Sequence, residues 1–160
     1  LSQDQVPAIP RVLRIENSDF ASLVETRILL ETESAKLAAL RRTDQDIEDI
    51  KKALDAYEKK VKLDQQAVEE DLMFHLKIAE ASKNSVLKSL MLIITPDIIN
   101  NFIQLEICKD GRFYSALEEH KVIVEHIIAQ EPEKAAQAMR IHLKDVFEYS
   151  QSLKEGNGTT

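Results

Sequence analysis

Asp71 and His75 stand four residues apart in the segment EEDLMFHLKIAEASKN. Residues four apart on an α-helix lie about 40° apart around its axis, so this carboxylate and this imidazole project from one face as neighbours. Phe74, Ile78 and Ala79 share that face, which sets the pair inside an apolar stripe, where a buried Asp and His require partners. His120 and His142 occupy comparable positions on two other predicted helices, the first beside Ile123, Val124 and Ile127, the second beside Ala135, Ala138, Met139 and Val146. His126 is turned by about 240° from His120 and faces elsewhere. One inward histidine is ordinarily a core residue satisfied by a carbonyl or hydroxyl, but three beside an Asp would each need dedicated partners. One carboxylate and three imidazoles suit a divalent transition metal, zinc first, with nickel, manganese or cobalt as alternatives. Such an ion with five or six ligands keeps one or two positions for water or an oxygen-bearing molecule, which serves either sensing or catalysis.

These residues need helices to hold them, and the sequence supplies helical patterns almost throughout. The first helix is expected from Ser18 or Asp19 to about Arg42, with Leu23, Val24, Arg27, Glu31, Ser34 and Ala38 on one broad face. Arg27 and Glu31, read alone, make an ordinary ion pair one turn apart. Thr43 and Asp46 form a capping box for a second helix to about Lys62, whose stripe is Ile47, Ile50, Leu54, Tyr57 and Val61. Its other faces are charged and solvated. Asp64 is the expected cap of a third helix to about Ser82. Asn84 or Ser85 caps a fourth, apolar on most sides, with Pro96 expected to kink or interrupt it near Ile94 unless Thr95 and Asp97 mark a restart. A loop at Lys109, Asp110 and Gly111 precedes a fifth helix, with Ser115 and Glu118 as a second capping box and an end near Gln130. Pro132 opens the last helix, which ends near Leu153 or Lys154. The expected fold is all-α: an antiparallel bundle of six to seven helices around a metal and ligand cavity.

A chain of 160 residues is one domain with room for a substantial core. Its formal net charge of −7, without a Lys or Arg cluster, argues against a nucleic-acid surface on this segment. The longest apolar runs, such as Leu90 to Ile94, fall well short of a membrane span of about 20 residues. A single cysteine, Cys108, is read as a structural thiol, and a reducing cytoplasm is the expected compartment.

The segments ETRILLETESAKLAALRRT, DLMFHLKIAEASKN, EEHKVIVEHIIAQEPEKAAQAM and its continuation RIHL resemble the C-terminal effector-binding domain, the FCD domain, of FadR-subfamily regulators in the GntR family of bacterial transcription factors. The resemblance covers roughly residues 20 to 150. It implies a metal held by Asp71, His75, His120 and His142, and an Arg27 that points into the same cavity to meet the carboxylate of a small organic acid. Glu31 would then orient Arg27, and Asn84 matches a recurrent family position that helix capping explains equally well. It also implies a homodimer, loosely supported by the apolar fourth helix, and DNA contact only through a winged-helix domain absent from this chain. Residues 1–17 are read as the linker from that domain, 18–154 as the effector-binding and dimerisation domain, and 155–160 as a flexible tail. Two other readings stay open: a metal-dependent enzyme in a helical bundle, for which no nucleophile motif and no further general base is evident, and a metal-free structural dimerisation domain.

Overall fold

The computed structural model describes residues 20–104 and 112–157. Among them lie six helices: α1 (Phe20–Arg41), α2 (Asp44–Lys62), α3 (Val68–Ala81), α4 (Ser85–Gln104), α5 (Arg112–Ile128) and α6 (Pro132–Asn157). The described residues contain no strand. The expected linker 1–17 and the expected loop at Lys109, Asp110 and Gly111 lie outside the described residues.

α1 is the axis of the bundle and packs against α3, α4, α5 and α6. Its first turns, with Phe20, Leu23 and Val24, join Met91, Ile94 and Ile98 of α4 and Ala79 of α3 in one apolar cluster. Its last turns, with Ala35, Ala38 and Ala39, join a larger cluster with Ile50, Leu54, Tyr57 and Val61 of α2, Phe74 and Ile78 of α3, Ile123 and Ile127 of α5, and Met139 and Leu143 of α6. Small residues on this part of α1 let the neighbouring helices approach closely. Arg27 and Glu31 fall between the two clusters, and both are buried.

α1 and α2 do not pack along their lengths, unlike the antiparallel neighbours that short connections suggest. Only Arg42 and Thr43 separate them, and Thr43 is extended (φ −97°, ψ 170°). The Asp46 amide donates to Thr43 Oγ1 at 3.1 Å and the Thr43 amide to Asp46 Oδ2 at 2.8 Å, so the second helix restarts at once and runs off towards α3 and α5. Arginines at that corner bind the structure together: Arg41 Nη1 donates to the Ser82 carbonyl at 3.0 Å, and Arg42 Nη2 to the Ile128 carbonyl at 2.6 Å. These are the C-terminal ends of α3 and α5, where orphan carbonyls favour a cation.

Four boundary expectations are corrected. Asp64 does not cap α3: it takes a left-handed conformation (φ 52°) at the end of α2, and Ala67 precedes α3 without a side-chain bond. Asp tolerates that conformation better than most residues, and its Oδ1 instead accepts from the Tyr114 hydroxyl at 3.3 Å. Ser115 does not open α5, because that helix has begun at Arg112 and encloses it. Pro96 does not interrupt α4, which continues through it with Ile94 and Ile98 buried on either side; packing on both flanks holds the turn that the missing N–H weakens. α6 continues to Asn157, so the last helix takes in the first three residues of the expected tail. Asn84 does cap α4, accepting from the Val86 and Leu87 amides at 3.1 and 3.2 Å.

Asp46 also accepts from Lys83 Nζ at 2.9 Å, which ties the start of α2 to the end of α3. Burial raises its pKa, but the bonds from Lys83 and Thr43 outweigh burial and hold it below the ordinary 3.8. A depressed folded pKa stabilises above the unfolded value and loses that contribution as pH falls through the folded value. Asp46→Asn should therefore cost about 1 kcal/mol at neutral pH, and urea titrations should show its deficit against wild type vanishing in acid.

Candidate metal centre

α3, α5 and α6 bring Asp71, His75, His120 and His142 to one point, with one donor atom from each within 4.8 Å of the others. All three imidazoles are buried. Asp71 is 18% exposed at its side chain, yet its Oδ1 is sealed from solvent. That oxygen lies 3.2 Å from His75 Nε2 and 3.1 Å from His120 Nε2. Neither approach has hydrogen-bond geometry, and Asp71 Oδ1, His75 Nε2 and His120 Nε2 are buried without a hydrogen-bond partner.

Buried polar atoms left unsatisfied normally cost a few kcal/mol each, so their convergence calls for an explanation. Ligands about 2.1 Å from one ion are separated by roughly 3.0 to 3.4 Å along the edges of an octahedron or tetrahedron. The two Asp71 distances match that edge. Donor atoms that crowd together without hydrogen-bonding one another are what such a site leaves when it holds no ion, and three imidazoles with one carboxylate suit zinc and its neighbours. The residues fit a divalent transition metal.

Glu31 and Arg27 extend this group into α1. Arg27 Nε donates to Glu31 Oε2, and Glu31 Oε1 meets His75 Nδ1. The ordinary one-turn ion pair of the sequence reading is thus part of a buried chain of basic and acidic groups, Arg27 to Glu31 to His75 to Asp71. Burial raises the Glu31 pKa, but Arg27 and His75 outweigh it and bring the carboxyl down to about 2. Burial disfavours a charged His75, yet Glu31 and Asp71 on either side push it up to about 9. His120 is lowered by burial against the opposing pull of Asp71, and His142 is lowered further by burial and by the other two imidazoles. Asp71 is held well below its ordinary value because the histidines overcome its burial.

Aromatic packing orients the rest. Phe74 stacks on His120 with ring centroids 4.3 Å apart, and Tyr57 lies 4.7 Å away on another side. His126 points away from the cluster, half-buried, 3.3 Å from Glu131. Asn84 belongs to the α4 cap described above. Glu119, which the sequence reading passed over, lies 3.4 Å from His142 Nδ1. Its signal in the sequence is weak, since an acidic residue beside an inward His reads as surface.

The six helices and this buried Asp–His cluster define an all-helical domain with a candidate metal site. The sequence model of the FCD domain matches residues 22–145, and the chain belongs to that family, whose setting is the GntR-type transcription regulator. It is 32% identical over 152 residues to the HTH-type transcriptional regulator LutR of Bacillus subtilis strain 168, spanning 91% of this chain and 68% of that protein. It is 35% identical over 130 residues to the Uxu operon transcriptional regulator of Escherichia coli K12, of which it spans about half (51%, against 78% of this chain). Among solved structures, Streptococcus agalactiae GntR superposes with a TM-score of 0.67 at 28% identity, over 79% of this chain and 56% of that one. Escherichia coli McbR/YncC superposes with a TM-score of 0.75 at 14% identity, over 82% and 64%, which bears on the fold alone. The relatives are named as transcription regulators, which sets aside the enzyme reading. No helix among the described residues is long and apolar enough to cross a membrane.

Removing one member of a buried ion pair leaves the other uncompensated. Arg27→Leu should cost about 3 kcal/mol in chemical denaturation, and adding Glu31→Leu should restore part of that loss; a further loss in the double variant would contradict the pairing.

Proposed function

We propose that this domain senses a small organic acid at a metal centre and passes its occupancy to a DNA-binding domain. The observation that carries this reading is the convergence of Asp71, His75, His120 and His142, with Asp71 Oδ1, His75 Nε2 and His120 Nε2 buried and unsatisfied. These four residues would hold zinc, or nickel, manganese or cobalt. The ion, when bound, supplies a Lewis-acidic positive centre that accepts an oxygen of the effector.

Arg27 acts as the effector's second anchor. A guanidinium presents a planar fork of five N–H donors that matches a carboxylate, and Glu31 engages it at Nε. Glu31 therefore orients Arg27 and His75 together, so one carboxylate of α1 links the acid-binding side chain to a metal-binding one. Water is excluded by the apolar clusters on both sides, which strengthens each charge interaction inside.

α1 gives the signal a route. It carries Arg27 and touches four other helices, so a shift that improves its grip on the acid must repack the bundle. Residues 1–17, ahead of α1, serve as the arm from a winged-helix domain that contacts DNA, and the sensing domain runs from residue 18 to the end of α6. The coupling requires that the acid bind two arrangements of the domain with different affinity. α4 exposes Val86, Leu90 and Leu92, which supports a homodimer through this helix.

Elemental analysis of protein purified without added metal or an affinity tag should find about one equivalent of a transition metal, lost in His120→Ala and His142→Ala. Absence from wild type, with no uptake of zinc, nickel or manganese on titration, would overturn the metal centre. In the loaded protein, Arg27→Lys keeps the charge and loses the fork, and small carboxylic acids should bind it about tenfold more weakly by calorimetry.

A further inference from the structure

Each of the three imidazoles has its own means of orientation. His75 has a carboxylate behind it, Glu31, against Nδ1. His120 is held by stacking on Phe74. His142 stacks nearly parallel to His75 (13°, centroids 5.5 Å apart) and edge-on to His120, contacts that constrain the plane of its ring but leave open which nitrogen carries the proton.

Glu119 supplies what is missing. It precedes the inward His120 by one residue on α5, about 100° around the helix, on the side that meets α6 at His142. Its Oε2 is 3.4 Å from His142 Nδ1, and both atoms are buried without a hydrogen-bond partner. Its Oε1 is 2.7 Å from Arg112 Nη1, seven residues earlier on the same face of α5. Arg112 is itself largely buried, with 11% of its side chain exposed. A guanidinium so enclosed needs a carboxylate, and that demand places Glu119.

We propose that Glu119, held by Arg112, is a positioning residue that accepts the Nδ1 proton of His142 and so presents Nε2 of that imidazole to the cluster of Asp71, His75 and His120. The inference rests on the metal-centre reading. When Nε2 is a ligand the imidazole is neutral with its proton on Nδ1, and an acceptor there selects that tautomer and raises the basicity of the ligand nitrogen. His75 and His142 would then be backed by carboxylates from two different helices, α1 and α5.

The test is zinc affinity of the whole chain, measured by competition with a chromophoric chelator, beside the melting temperature of the metal-free protein. Glu119→Ala should weaken zinc binding about 10- to 100-fold. Glu119→Gln, whose amide oxygen still accepts but carries no charge, should lose less zinc affinity, with the visible spectrum of the cobalt-loaded protein shifted and the metal-free melting temperature lowered less than in Glu119→Ala. Should Glu119→Ala fail to fold because Arg112 is left unpaired, Glu119→Gln alone decides. Wild-type affinity and an unshifted cobalt spectrum in Glu119→Gln, in protein whose wild type takes one equivalent, would overturn the role of Glu119 and leave the centre intact. A folded wild type that takes no zinc would overturn both.

Discussion

The constraint on which this structure depends is the burial of charge between two apolar clusters. Taking an ion out of water costs several kcal/mol even in a relaxed protein interior, and this layer holds an arginine, two carboxylates and three imidazoles. An alternation of basic and acidic groups makes the burial tolerable. Arg27 faces Glu31, and the His75 imidazole, charged without a metal and neutral when it holds one, stands between Glu31 and Asp71, so the two carboxylates do not face each other. The alternation also sets register: α1 must present residues 27 and 31 opposite residues 71 and 75 of α3, and a slip of either helix by one turn would strand a charge.

Helix ends carry the same logic to the outside of the bundle. Arg41 and Arg42 close the C-terminal carbonyls of α3 and α5, the two helices that bring Asp71, His75 and His120 to the centre. Lys83 then ties the end of α3 to the capping box of α2. A side chain on a short staple of this kind restricts rotation of the helix it caps, which a lubricated apolar contact does poorly. The centre is therefore held by apolar packing along the helices and by charged groups at their tips.

In an effector-binding domain of this family, one helix that reaches both clusters and the charged layer is well placed to report occupancy. α1 has no interior independent of the site, since Arg27 and Glu31 interrupt its apolar face at the middle. Any change in what Arg27 grips is felt by the packing on either side of it.

Much of this was legible in the sequence because helical periodicity is local. Spacing alone puts Asp71 and His75 on one face, turns His120 inward and His126 outward, and marks Thr43 with Asp46 as a helix start; each follows from rotation about a single axis. Caps that depend on where the backbone turns were less legible, as Asp64 and Ser115 illustrate: the right residue types occur there, but the helices begin elsewhere. What the sequence by itself determined, then, is the direction of each side chain about its own helix, and with it the all-helical class and the inward set of one Asp and three His. The tertiary structure alone decided that Glu31 meets His75, that Arg112 and Glu119 stand behind His142, and that α1 and α2 diverge. Distances between helices depend on how rigid elements rotate and translate against one another, and that is settled by the packing of the whole core, which no single periodicity contains.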